Sequence, residues 1–120
     1  MKRQLFCSLL LSGAVTAAPS SFTLDGDRFV SMVSRSAAMP MDPADYLQRE
    51  KAYSYLDGVR DSAEGRVWCD VHQLKTPDLA YELSAEIARM PEAERRKSAA
   101  QLLLDLLRQK FPCRPEGVRP

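Results

Sequence analysis

The chain has one histidine, one tryptophan and three cysteines in 120 residues. His72 is the sole imidazole, and no Ser-His-Asp set is plausible around it. Cys69-x-x-His72 does not make a zinc site, because zinc takes three or four protein ligands and no further histidine or free thiol remains. A Gly-rich phosphate loop and a haem motif are both missing. Neither charge is in excess, with 17 Lys and Arg against 16 Asp and Glu. That balance gives no electrostatic case for nucleic acid or an anionic membrane. Past the N-terminal segment there is no apolar run of the roughly 20 residues that a membrane helix needs. No cofactor or metal is expected.

What is present starts with an address. Met1-Lys2-Arg3 is a short basic region, Leu5 to Val15 is mostly apolar around Leu9-Leu10-Leu11, and Val15-Thr16-Ala17 offers small residues to a signal peptidase. This pattern predicts a cleaved secretory signal over 1–17 and a periplasmic, oxidising destination. Cleavage is placed after Ala17, since cutting after Ala18 would put Pro19 beside the scissile bond. Cys7 lies before the apolar region ends, so it leaves with the signal and is not a lipid anchor. Losing Lys2 and Arg3 takes the formal charge from +1 to −1. About a hundred residues remain, enough for one small domain. That domain is assigned to 18–113, with a flexible tail over 114–120 marked by two prolines and a glycine.

Cys69 and Cys113 are then an isolated pair in an oxidising compartment, and one disulfide is expected. The competing arrangement is a reactive Cys69 with His72 as its base, but a disulfide would consume that nucleophile. In the chain-entropy model a crosslink over such a loop stabilises by roughly 4 kcal/mol.

Apolar spacing predicts four helices. The first is capped by Asp25 or Asp27, carries Phe29, Val30 and Val33, frays over Ser34 to Ala38 and ends before Pro40. The second starts at Asp42-Pro43 and runs to about Arg60 with Tyr46, Leu47, Tyr53, Leu56 and Val59 on one face. The third is capped by Thr76, with Pro77 and Asp78 in its first turn and Leu79, Ala80, Leu83, Ile87 and Met90 as its stripe. The fourth opens at Pro91 and buries Ala99, Ala100, Leu103, Leu106, Leu107 and Phe111 before Pro112 stops it. Residues 66–68 are too short for a strand. The expected architecture is an all-α, roughly antiparallel four-helix bundle, its last two helices stapled at their open ends by Cys69–Cys113.

Asp57 and Asp61 could share a helix face as an acid–base pair, but with Arg60 beside them they read as a solvated edge, and the chain is not expected to be an enzyme. Gly58 interrupts the helical pattern at a cost of roughly 1 kcal/mol relative to alanine. Such a glycine lets another helix approach closely, from the chain's own core or from a second subunit. The connection Ser62-Ala63-Glu64-Gly65-Arg66-Val67-Trp68 mixes charges with a flexible glycine and is anchored by Cys69. A constrained loop of this kind suits insertion into a partner's cleft, because preorganisation lowers the cost of binding. Trp68 itself is assigned to the core.

Tyr55-Leu56-Asp57-Gly58-Val59-Arg60-Asp61, Trp68-Cys69, Thr76-Pro77 and Lys110-Phe111-Pro112-Cys113, in that order, resemble the Rap/Tai family of immunity proteins. The resemblance covers Asp25 to Cys113. It implies a small, secreted, helical periplasmic protein that neutralises a peptidoglycan amidase toxin delivered by a type VI secretion system. It also implies a homodimer that pushes a loop or helix end into the toxin's cleft and covers its Cys-His site. Mapped onto this chain, the plug is Glu64, Gly65 and Arg66, helped by His72 and Gln73. Family members often carry two further cysteines, but here Met32 to Met39 and Glu50 to Ser54 contain none. Both are missing together, as for a disulfide lost as a unit, which would leave the first helix less tightly held. Two other classes fit a small secreted helical domain: a periplasmic chaperone or stress-response binder, and an adaptor of an envelope complex.

Overall fold

The computed structural model describes residues 23–34 and 41–114, together with the isolated Gly13. The signal over 1–17, the fraying beyond Ser34 and the tail beyond Arg114 lie outside the described residues. The described chain is all-α: α1 (Gly26–Ser34), α2 (Pro43–Ala63), α3 (Thr76–Ala88), α4 (Glu92–Arg95) and α5 (Ala99–Lys110). None of these helices is long and apolar enough to cross a membrane.

The helix starts follow local chemistry in part. Asp25 accepts from the Arg28 amide at 2.7 Å and so satisfies an orphan donor of α1. Asp42 does the same for Ala44 at 2.7 Å, with Pro43 in the first turn of α2. At α3 the cap is Lys75, which makes no side-chain cap bond, and Thr76 lies inside the helix. The Thr76 hydroxyl is occupied elsewhere, as acceptor for Arg60 at 2.7 Å and donor to Asp57. α2 runs past Arg60 to Ala63, whose side chain is buried, and the chain turns only at Gly65 with φ 77°.

The expected fourth helix is two helices. Residues between α4 and α5 are drawn out of the helix by the strand-like segment that precedes α1. Gly26 donates to the Lys97 carbonyl at 3.1 Å, Ala99 donates to the Leu24 carbonyl at 2.9 Å, and Asp25 pairs with Ser98 in an isolated bridge. The crossing is so close that a Cβ on Gly26 would lie 2.6 Å from the Arg95 carbonyl oxygen and 2.6 Å from Leu102 Cδ1. Arg95 braces it, donating to Asp27 at 2.7 Å and to the Met90 carbonyl at 2.7 Å. Ser98 gives α5 no side-chain cap; the Tyr55 hydroxyl, reaching across from α2, accepts from the Ala100 amide at 3.0 Å instead. Without a second disulfide, α1 is thus held at its N-terminal end by backbone pairing and an ion pair.

The core is continuous, with Phe29, Leu56, Trp68, Leu79, Leu83, Ile87, Leu103 and Leu107 fully buried. Each large side chain of this kind contributes about 1.5–3 kcal/mol. α1 packs mainly on α3 and α2, and α2 also meets α5. Tyr46 and Leu47, placed on the apolar stripe of the second helix by spacing, are exposed; burial along α2 begins at Ala52. Arg49 lies 5.0 Å from the ring of exposed Tyr46 and 5.8 Å from that of Tyr53, which also packs against the core.

At the opposite end from the α1 crossing, Cys69 and Cys113 form the expected disulfide, with Cα atoms 4.8 Å apart. The Cys69 amide donates to the Phe111 carbonyl at 3.0 Å, and Trp68 meets Phe111 edge-on. α3 and α5 are further tied by Lys110, 2.9 Å from Glu82 and 3.4 Å from Glu86. Hydrogen bonds from Arg89 and then Lys110 hold the Glu86 carboxyl below its ordinary pKa. The Glu82 bond, chiefly, raises Lys110.

Candidate functional site

Two loops sit where α2 ends, α3 begins and α5 stops. The first is the turn after α2. Gly65 donates to the Trp68 carbonyl at 2.7 Å, and Arg66 and Val67 donate to the Ala63 carbonyl at 3.1 and 2.9 Å. Gly65 needs its positive φ to close this turn, where a side chain would be strained. Beneath it Trp68 is only 1% exposed, and its indole donates to the Arg60 carbonyl at 3.1 Å. Glu64, Gly65 and Arg66 are exposed. Arg66 folds back to donate to the Ser62 carbonyl at 2.7 Å.

The second loop runs from Cys69 to Lys75. Asp70 organises it: its carboxylate accepts from the His72 amide at 3.2 Å and from the Leu74 amide at 3.2 Å. The Arg60 guanidinium donates to Asp70 at 3.1 Å, to the Leu74 carbonyl at 2.8 Å and to Thr76 at 2.7 Å. It also faces the Trp68 ring at 5.7 Å. The Arg60 and Asp70 side chains are 13% and 16% exposed, so this pair is largely out of water. A planar guanidinium suits this role because its fixed fork of donors reaches several acceptors at once. Val71, His72 and Gln73 are left outside, with Val71 68% exposed. Gln73 has φ 52°, the left-handed region that non-glycine residues seldom occupy. The two loops touch where the Asp70 amide donates to the Glu64 carboxylate at 3.3 Å.

A family model for Rap1a immunity proteins matches residues 25–113. The chain belongs to that family. The matched span starts at Asp25, which caps α1, and stops at Cys113, which closes the disulfide. Immunity proteins bind cognate toxin effectors, and the family is generally non-enzymatic. No curated protein matches the chain.

For this Rap1a family member the structure brings Glu64, Gly65, Arg66, His72 and Gln73, read from the sequence as one contact region, onto two adjoining loops. Gly58 needs a correction. No helix of the same chain approaches it among the described residues; a Cβ there would meet nothing within 4 Å. The close-approach glycine is Gly26, hidden in sequence because it precedes the apolar periodicity. Asp57 and Asp61 are not a pair: Asp57 accepts from Thr76 and lies 3.8 Å from Arg60, while Asp61 is exposed.

Sequence reasoning missed Arg60 and Asp70. The signal lay in Arg60 directly following the last apolar position of its motif, and in Asp70 standing two residues before His72, where an Asx turn forms. A cavity of about 260 Å³ between α1 and α2, lined by Arg28, Ser31, Met32, Asp45 and Gln48, shares no residue with either loop. No group of three His, Cys, Asp or Glu side chains is placed to hold a metal among the described residues.

Proposed function

We propose that this Rap1a family member is a periplasmic immunity protein that sterically blocks a peptidoglycan amidase toxin delivered by a type VI secretion system. The observation that supports it most is the meeting of two exposed loops on one braced platform in a chain of an immunity family. Inhibition of this type needs no chemistry from the inhibitor, only a rigid protrusion that fills the substrate cleft and excludes water and substrate. Glu64, Gly65 and Arg66 form the plug, with His72 and Gln73 beside it. The short internal bonds of the first turn mean that little conformational entropy is lost on docking.

A homodimer belongs to the same reading. Ser54, Gly58 and Ser62 are exposed and recur every four residues, so they share one face of α2. The open space around Gly58 leaves that face accessible to a second copy. The signal read over 1–17 supports the periplasmic address.

The test is direct. The mature protein is mixed with a purified papain-like amidase effector from its own organism, and complex formation and peptidoglycan hydrolysis are measured. A stoichiometric complex with loss of hydrolysis is expected. The double substitution Glu64→Ala with Arg66→Ala is expected to weaken binding at least tenfold at unchanged melting temperature. Unchanged affinity would move the plug off this turn, and undiminished hydrolysis with wild-type protein would refute the reading.

A further inference from the structure

The plug uses Glu64, Gly65, Arg66, His72 and Gln73 but leaves exposed Val71, and Arg60 and Asp70 behind it, without a part. Arg60 reaches three points spaced along one connection: Asp70 at its start, the Leu74 carbonyl near its end and Thr76 in the first turn of α3. Asp70 then reaches the amides of His72 and Leu74 on either side of Gln73. The exposed turn Val71–Gln73 is therefore bracketed from inside at both ends. The bracket is itself fixed, by the disulfide at Cys69, by α3 and by the Trp68 ring against the guanidinium. A left-handed Gln73 persists where its surroundings over-determine it, and this bracket does so. What the turn then carries outward is a branched apolar side chain, Val71, followed by an imidazole and an amide.

We propose that Arg60 and Asp70 are positioning residues that hold the turn Val71–Gln73 in its toxin-bound shape before the toxin arrives, with Val71 as its outward apolar contact. This rests on the immunity reading, and it moves part of the binding from Glu64–Arg66 to the second loop. Arg60 and Asp70 act through the turn and touch no toxin atom themselves. Their removal then lowers affinity by loosening a shape, and the loss depends on the residues that shape presents.

The experiment has a readout without partner and one with it. Hydrogen exchange at the His72 and Leu74 amides is followed in the free mature protein. Dissociation is followed with the purified amidase effector that forms the complex described above. Asp70→Ala is expected to speed exchange at both amides at least tenfold and dissociation at least tenfold. Val71→Ala alone is expected to speed dissociation at least tenfold, but by less than threefold when added to Asp70→Ala. Tyr55→Phe, which loosens α5 far from both loops, is expected to lower the melting temperature while leaving dissociation within twofold. Arg60→Lys is expected to fall between wild type and Asp70→Ala, since an ammonium cannot bridge all three acceptors. If Asp70→Ala does not fold, Asp70→Asn replaces it, keeping one acceptor oxygen and losing the charge pairing. Multiplicative effects of the two substitutions, or unchanged dissociation despite lost protection, would overturn the positioning role and leave the immunity reading intact. A wild-type protein that binds no effector would overturn both.

Discussion

The two ends of this bundle each break a helix pattern, and each break has an arginine beneath it. Between α4 and α5, Arg95 holds Asp27 and the Met90 carbonyl. Between α2 and α3, Arg60 holds Asp70, the Leu74 carbonyl and Thr76. The difference is what lies on top. The first break is covered by the start of α1, so closely that Gly26 has no room for a Cβ. Among the described residues nothing covers the second, and Val71, His72 and Gln73 are exposed. One device therefore serves two ends. At the closed end it completes the core; at the open end it gives shape to residues that a partner can meet.

The contrast can be broken at the open end first. Removing the crosslink with Cys69→Ser and Cys113→Ser is expected to cost about 4 kcal/mol in denaturant unfolding, because the bond closes a long loop. Hydrogen exchange in the same variant should rise most in residues 69–75 and least around Gly26. Uniform loss across both ends would mean that the two are not separate.

At the closed end, Gly26→Ala is expected to destabilise by about 2 kcal/mol. The new methyl would press on a backbone carbonyl, which cannot rotate away as a side chain tip can. Gly58→Ala is the counterpart. It sits in open space inside α2, where alanine is the better helix former, and a gain of about 0.5–1 kcal/mol is expected in the monomer. If the α2 face meets a second copy, the same substitution should weaken the dimer in sedimentation. Opposite signs at the two glycines, read by urea midpoint, would sharpen the distinction between a buried crossing and an exposed face.

The smallest effect is electrostatic. Glu86 has a lowered pKa, so its contribution is present above its unfolded value and is lost as pH falls through the folded one. Lys110 has a raised pKa, so its contribution is complete below its unfolded value and is lost as pH rises through the folded one. Stability from this cluster should therefore be flat across neutral pH and decline at both extremes. Lys110→Met should flatten the alkaline decline in a pH series of urea midpoints. An unchanged alkaline limb would remove Lys110 as its source.

Most of the fold was legible because it rests on local signals. Asp42-Pro43 and the apolar spacing of Leu79, Leu83, Ile87, Leu103 and Leu107 act over a few residues, and they place α2, α3 and α5. Trp68 in the core and the cysteine pair were also readable. The split of the last helix was not. Its cause is Leu24 and Gly26, some seventy residues away in sequence, and no periodicity near Ser98 records that. Thr76 misled for a related reason: a good capping residue was recruited by Asp57 and Arg60 across a tertiary contact. Glu64, Arg66, His72 and Gln73 could be singled out as loop residues. That Asp70 and Arg60 lie beneath them depends on three-dimensional placement, which a single sequence does not print.

The pairing of Gly26 with Lys97 has a consequence for how the chain comes together. α1 comes first in the chain, but the pairing at its N-terminal end is completed only by residues 95–102. A nine-residue helix has little stability alone. Closing that end therefore joins the first helix of the domain to its last, a contact of high sequence separation that forms slowly. Without residues 95–102, α1 could still rest its apolar stripe on α3 and α2, but the backbone pairing at its N-terminal end would be lost.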